Sequence, residues 1–358
     1  MDRSVKVKKL EATSGRTIAI SDIHGNYDRY LALLKKIHYR PNQDRLILVG
    51  DFIEKGPKNL LLLRYIMHQA ETEDVHVLMG NCDFTCKNVL YSYRLEFLRY
   101  ILLMRKASVM HEMEAEIHYT FDENVDMADY CQRMRKYFLK ELSFVNDLPH
   151  VIETPDTIYV HAALVDPEHY GSDFKEVINQ SFFLKRNIYF PKRVVVGHMP
   201  VTEYCHRIAN FDPIYDSKMN VYSIDGGNIV KKQSGQLNAL IFDGHTIQTE
   251  SIDELPEVQV IKDVEPGTQL PIFVTWNEGK VDILQKTSTH SLVYNSYLKR
   301  KFWVPNVFIQ HGKANEYTTY EMPLKKGDTV KLVCTYDDKA QIKKNGILGW
   351  TYKTNLLL

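Results

Sequence analysis

The chain has 358 residues with 45 basic and 45 acidic side chains, a formal net charge of zero, so no bulk field draws it to nucleic acid. Its length suits one domain of roughly 250 residues plus a smaller one. No run approaches the ~20 apolar residues of a membrane span, the amino-terminal stretch 1–9 lacks the apolar core of a signal peptide, and Cys82, Cys86, Cys131, Cys205 and Cys334 show no framework spacing; the expectation is a cytoplasmic protein with reduced thiols and neither nucleic-acid nor membrane partners.

In chain order, five apolar runs at 17–20, 45–49, 75–79, 157–160 and 193–196 read as buried strands of an α/β sheet. Between the first three, residues 27–37, with Asn26 as cap, and 59–70, just after Pro57, read as crossover helices. A long helical stretch, 84–144, then interrupts the strands, with His111 and His118 expected at its surface. After 198, short alternating runs at 221–224, 237–242 and 245–252 are separated by Asp225-Gly-Gly and Asp243-Gly, so a mixed or antiparallel second sheet is predicted, with Asp225 in a turn. Pro256, Pro266 and Gly267 mark 254–270 as a linker. Runs at 271–276, 328–334 and 341–344 predict a small β-domain over 271–358, behind a domain over 1–253. Trp276, Trp303 and Trp350 are its core anchors or the lining of a peptide groove.

Each of the five principal strands is followed at once by a short polar loop that carries a metal-binding side chain. These are Asp22 and His24 in Ser-Asp-Ile-His-Gly-Asn, Asp51 in Gly-Asp-Phe-Ile-Glu-Lys-Gly-Pro, Asn81 in Gly-Asn-Cys-Asp, His161 in Val-His-Ala-Ala-Leu, and His198 in Gly-His-Met-Pro. Ligands of open α/β sheets gather beyond the carboxyl ends of the strands, so all six can converge. Carboxylates, an amide oxygen and imidazoles together suit a pair of hard or borderline divalent ions. The pattern is that of a two-metal hydrolase.

The order of these motifs resembles the calcineurin-like metallophosphoesterases over about residues 16 to 250, closest to the phosphoprotein phosphatase (serine/threonine phosphatase) branch and its bacterial members. That resemblance implies a two-sheet β-sandwich flanked by helices, followed here by a small all-β carboxy-terminal domain whose Gly349-Trp350 close resembles SH3-like barrels. It implies that Asp22, His24 and Asp51 hold one metal and Asp51, Asn81, His161 and His198 the other, with Mn2+ expected ahead of Fe, Zn or Mg. The activity implied is hydrolysis of phosphate monoesters by a water activated between the ions. The substrate would be a phosphorylated protein or a small phosphoester, and a peptide ligand would fit the carboxy-terminal domain. Two alternatives stay open: a phosphodiesterase or dinucleoside polyphosphate hydrolase, and a catalytically weak metal-containing binding protein.

Four further residues are catalytic candidates. Lys55 stands where the phosphatase branch has an arginine, and Arg186 resembles its Trp-Ile-Arg element; both would bind phosphate, Lys55 without the bidentate fork of a guanidinium. Cys82 replaces the histidine of Gly-Asn-His-Glu, and Glu54 would be its orienting partner. A protonated thiol is neutral and replaces an imidazolium poorly, so leaving groups that need a proton would suffer.

Overall fold

Strand length and burial in the first part of the chain follow the apolar runs. The computed structural model describes every residue except Lys232 and divides into two units, 1–200 with 213–253, and 201–212 with 254–358. In the first unit lie β1 (Val7–Lys9), β2 (Thr17–Ile20), β3 (Arg45–Leu48), β4 (Val75–Val77), β5 (Val151–Glu153), β6 (Thr157–Val160) and β7 (Arg193–Val196). After β8 (Ala209–Asn210), which belongs to the second unit, the first continues with β9 (Ile214–Asp216), β10 (Val221–Ser223), β11 (Leu237–Asp243) and β12 (Thr246–Ile252). Two mixed sheets result, in the orders β1-β5-β6-β7-β10-β9 and β12-β11-β2-β3-β4. Because β2, β3 and β4 run parallel, and β6, β7 and β10 likewise, the carboxyl ends within each set open onto one edge.

Alternation along the strands decides which layer each side chain joins. Ala19, Ile47 and Leu240 of one sheet pack with Ile152, Tyr159 and Val195 of the other, which makes the middle of a sandwich. Their neighbours Ile18, Ile20, Leu46 and Leu48 face outward and pack with α1 (Tyr27–Lys36) and α2 (Asn59–Thr72). The fold is therefore an α/β two-sheet sandwich with helices outside it.

The stretch expected to be helical, 84–144, holds four helices: α3 (Thr85–Leu90), α4 (Leu95–Met104), α5 (Val109–Glu116) and α6 (Met127–Asp147). Local chemistry sets the breaks. Arg94, before α4, has φ +52°, while Ser108 and Asp126 cap α5 and α6 by accepting from backbone amides. The apolar faces of these helices join the cluster under α1 and α2. His118 is exposed as expected, but His111 is half-buried, its Nε2 3.1 Å from the carbonyl of Leu102. On the far side of the other sheet, α7 (Phe174–Ile178) packs Phe174, Val177 and Ile178 onto Val151, Ile158 and Val194.

The second unit is all antiparallel in its ladders. Besides β8 it holds β13 (Glu257–Val260), β14 (Asp282–Lys286), β15 (His290–Asn295), β16 (Arg300–Pro305), β17 (Thr329–Tyr336), β18 (Lys339–Lys344), β19 (Ile347–Tyr352) and β20 (Leu356–Leu357). They form a six-stranded sheet, β20-β13-β17-β18-β19-β8, and a three-stranded one, β14-β15-β16. Residues 254–270, read from their prolines as linker, include β13, which pairs with β17 and β20. Trp350 is buried and donates Nε1–H to the Thr318 carbonyl at 3.0 Å; Trp276 and Trp303 are exposed. Among the described residues no helix is long and apolar enough to cross a membrane.

Candidate metal centre

The expected ligands stand immediately past strand ends: Asp22 and His24 after β2, Asp51 after β3, Asn81 after β4, His161 after β6 and His198 after β7. The backbone there is unusual. Asp22 (φ +55°), His24 (+50°), Asp51 (+50°), Glu54 (+76°), Lys55 (+72°) and His198 (+67°) are all left-handed, a conformation that costs side-chain-bearing residues on the order of 1–3 kcal/mol each and collects at functional sites.

Hydrogen bonds hold these turns in place. Asp22 N donates to the Gly50 carbonyl (3.1 Å) and His24 N to the Asp51 carbonyl (2.9 Å). The buried carboxylate of Asp83 accepts from the amides of Asp51 (2.8 Å), Gly80 (2.7 Å) and Ile53 (3.2 Å), stapling the loop after β3 to the loop after β4. Two glycines make room: a Cβ at Gly50 would lie 2.6 Å from Nδ1 of His161, and one at Gly80 would lie 2.1 Å from Oδ1 of Asp51.

The side chains converge. Nε2 of His24 is 3.7 Å from Asp22 Oδ1 and 3.9 Å from Asp51 Oδ2. Nε2 of His161 is 3.5 Å from Asp51 Oδ1 and 3.1 Å from Asn81 Oδ1, and the rings of His161 and His198 are 5.1 Å apart. His198 N donates to Asp22 Oδ2 at 2.9 Å. Two buried groups of donors, Asp22 with Asp51 and His161, and His24 with Asp51 and Cys82, each lie within 4.8 Å of one another. Asp51 belongs to both, which is the arrangement of a dinuclear site.

The chemistry of these atoms fits metal ions. Nδ1 of His161 is 2.9 Å from the Val49 carbonyl, which can only accept, so Nδ1 carries the proton and Nε2 the lone pair. That lone pair faces the oxygens of Asn81 and Asp51. Acceptors so placed repel one another unless a cation stands among them. Burial, reinforced by Lys55, lowers the pKa of both His24 and His198 to about 3; both rings are neutral and can ligate. Asp22 is pushed up to about 7 by burial and by Asp51. Burial opposes the charge of Asp51 too, but the Lys55 ammonium and a hydrogen bond from Cys82 hold it below the ordinary carboxylate range.

Among the other candidates, Lys55 is exposed as a residue, yet its Nζ lies 3.3 Å from Nε2 of buried His24; burial of that tip opposes its charge, but Cys82, Asp51 and Asp22 raise its pKa on balance. Cys82 is buried, and its amide donates to Asp51 Oδ1 at 2.7 Å. Its thiol is pushed well above its ordinary pKa by burial and by Asp51. Glu54 makes its hydrogen bonds elsewhere: Oε2 accepts from Arg105 Nη1 (2.6 Å), and Oε1 from Ser108 Oγ (2.8 Å) and Val109 N (3.2 Å). Arg186 is exposed and donates to the carbonyls of Leu164 (2.8 Å) and Val165 (3.0 Å), just past His161.

Sequence reasoning missed Asp83, Ser21, whose hydroxyl donates to Asp22 Oδ2, and Arg105. Asp83 was visible as the last residue of Gly-Asn-Cys-Asp. Arg105 lies in no motif. Asp225, read as a turn residue, does accept from Gly227 N at 2.7 Å, but it is also buried, and Asp22 is the neighbouring charge that most raises its pKa after burial itself.

A family model described as calcineurin-like phosphoesterase matches residues 15–249. Curated relatives include the symmetrical bis(5'-nucleosyl)-tetraphosphatases of Cronobacter sakazakii and Escherichia coli, each 40% identical over 67 residues, which is 19% of this chain and 23% of the relative. The chain thus spans under a quarter of the length of the curated relatives it matches. A solved protein serine/threonine phosphatase from Saccharomyces cerevisiae is 12% identical, covering 71% of this chain and 85% of that one, with a TM-score of 0.44. The expected branch is corrected by these relatives: they are tetraphosphatases, and the phosphoprotein phosphatase assignment falls. The motif order that suggested it reports the candidate metal ligands, whereas Cys82 departs from the motif expected of that branch.

Proposed function

The chain belongs to the calcineurin-like phosphoesterases and is a metal-dependent phosphoesterase, and within that family we propose that it hydrolyses dinucleoside polyphosphates. The observation that carries this reading is Cys82. The side chain beside the shared ligand Asp51 is a buried thiol, neutral when protonated, and Glu54 is committed to Arg105 and Ser108. A serine alkoxide needs a proton as it departs, whereas a nucleoside phosphate leaves as a stable anion near neutral pH. The names of the curated relatives point to the same substrate class.

Two divalent ions would be held by Asp22, His24 and Asp51 and by Asp51, Asn81, His161 and His198, and when bound would supply Lewis-acid activation of water and a clamp on phosphoryl oxygens. With a thiol beside His24 and Asp51, zinc or iron joins manganese as a fitting occupant. Val49 holds the tautomer of His161, Asp83 fixes the Asp51 and Gly80 backbone, and the Lys55 ammonium offers a point charge to a phosphoryl oxygen.

The test is competition among substrates with metal-loaded protein: diadenosine tetraphosphate, p-nitrophenyl phosphate and a phosphoserine peptide, with products separated by chromatography. The dinucleotide should be cleaved with the highest kcat/KM and yield nucleoside diphosphates. Preference for the phosphoserine peptide would overturn the proposal.

A further inference from the structure

The helical stretch after β4 places a guanidinium beside the metal centre. Arg105 follows α4, and its Nη1 donates to Glu54 Oε2 (2.6 Å) and to Thr85 Oγ1 (3.1 Å); Thr85 Oγ1 in turn donates to the carbonyl of Cys82 (3.0 Å). The Lys55 amide donates to the carbonyl of Ala107 (3.2 Å), so this turn is tied to the loop that carries Asp51. Arg105 therefore stands on the Cys82 side of the cluster.

Its surroundings suit a group held ready for a ligand. Glu54 is fully buried, while the Arg105 side chain keeps 20% of its surface. A guanidinium has five N–H donors. Among the described residues both side-chain hydrogen bonds of Arg105 leave from Nη1, which leaves Nε and Nη2 to meet an incoming oxygen. Were Arg105 only a strut between helix and loop, an apolar contact would serve without the desolvation of a buried carboxylate.

We propose that Arg105 touches the substrate and stabilises the negative charge that develops on the departing oxygen. The inference rests on the reading of the cluster as the active site and narrows its substrate class. In the step concerned, a water oxygen adds to phosphorus and its proton passes to solvent. The bridging P–O bond breaks, and its electron pair stays on the departing oxygen. Arg105 keeps its proton throughout, because a guanidinium is not deprotonated in proteins, so it can neutralise that oxygen but not protonate it. Substrates are then those whose leaving group is an anion at neutral pH: a nucleoside phosphate expelled from a polyphosphate chain, or an acidic phenol.

The experiment measures kcat/KM for diadenosine tetraphosphate and for aryl phosphates of graded phenol acidity, in wild type, Arg105→Met and Arg105→Lys. Metal content and melting temperature are read on every sample. Arg105→Met should lose roughly 10²-fold on the dinucleotide, the scale for removal of one donor to a developing oxyanion. Its loss should grow as the phenol becomes less acidic, which steepens the leaving-group dependence. Arg105→Lys should recover much of the rate, and metal content should not change. A uniform loss at unchanged slope, or a loss that follows metal content or melting, would make Arg105 structural and overturn the proposal. A wild type that holds two ions and hydrolyses none of the substrates would instead overturn the active-site reading, and Arg105 with it.

Discussion

The loops at the strand ends and the helices between β4 and β5 serve one site in opposite ways. The loops supply every ligand candidate, with Asp22, His24, Asp51 and His198 in left-handed backbone, and are locked by backbone hydrogen bonds and by glycines with no room for a Cβ. The helices supply no ligand candidate, only side chains that reach back: Arg105 and Ser108 to Glu54, and Glu112 to the amides of Asn59 and Leu60 at the start of α2. On the proposed function, the difference separates holding metal, which demands fixed geometry, from selecting what leaves, which an attached arm can do.

The sharpest way to break that division is Asp51→Asn, which removes the donor common to both groups. Losing several kcal/mol of charge stabilisation corresponds to a fall in kcat on the order of 10³-fold or more. It should be accompanied by loss of bound metal and little change in the helical circular dichroism. A mutant that keeps its metal and its rate would show that Asp51 is not shared.

The helices can be tested through Glu114, buried in α5 with its carboxylate 2.6 Å from the Tyr130 hydroxyl. Burial lifts its pKa to about 7 from 4.5, against the Tyr130 hydrogen bond. Below pH 4.5 both folded and unfolded states bind the proton and nothing is lost. Between there and about 7 the unfolded chain releases it first, so folding weakens as pH rises, by about 3 kcal/mol in all. Denaturation of wild type from pH 4 to 8 should show this decline, and Glu114→Gln should flatten it while metal binding stays unchanged.

Asp83→Asn should have a smaller effect, because it replaces one of two accepting oxygens with a donor facing the Asp51, Gly80 and Ile53 amides. Metal affinity by calorimetry should fall about 10–100-fold, the usual range for such supporting groups. Smallest is Ser108→Ala, which removes the cap of α5 and one bond to Glu54. About 1 kcal/mol of stability should be lost in chemical denaturation, with the metal titration unaltered.

Legibility in the sequence follows the same division. Asp22, His24, Asp51, Asn81, His161 and His198 could be read because each follows an apolar run, and periodicity fixes where a strand ends. Lys55 was named from a resemblance, as the residue that stands where the phosphatase branch has an arginine. Arg105 was not, since it faces Glu54 across 51 positions of sequence and no local pattern records that pairing. The pairing of Glu54 with Cys82 was inferred from a resemblance, yet Arg105 and Ser108 occupy the carboxylate. Within the second unit, prolines suggested a linker at 254–270, but prolines outside a ladder say nothing against the strand between them, and β13 spans Glu257–Val260.

The most direct test is a count of metal ions. Protein equilibrated with manganese or zinc and then desalted should retain two ions per chain by elemental analysis, and Asp51→Asn should retain at most one. Retention of none by a folded wild-type protein, or of two by both proteins, would contradict a centre built around Asp51.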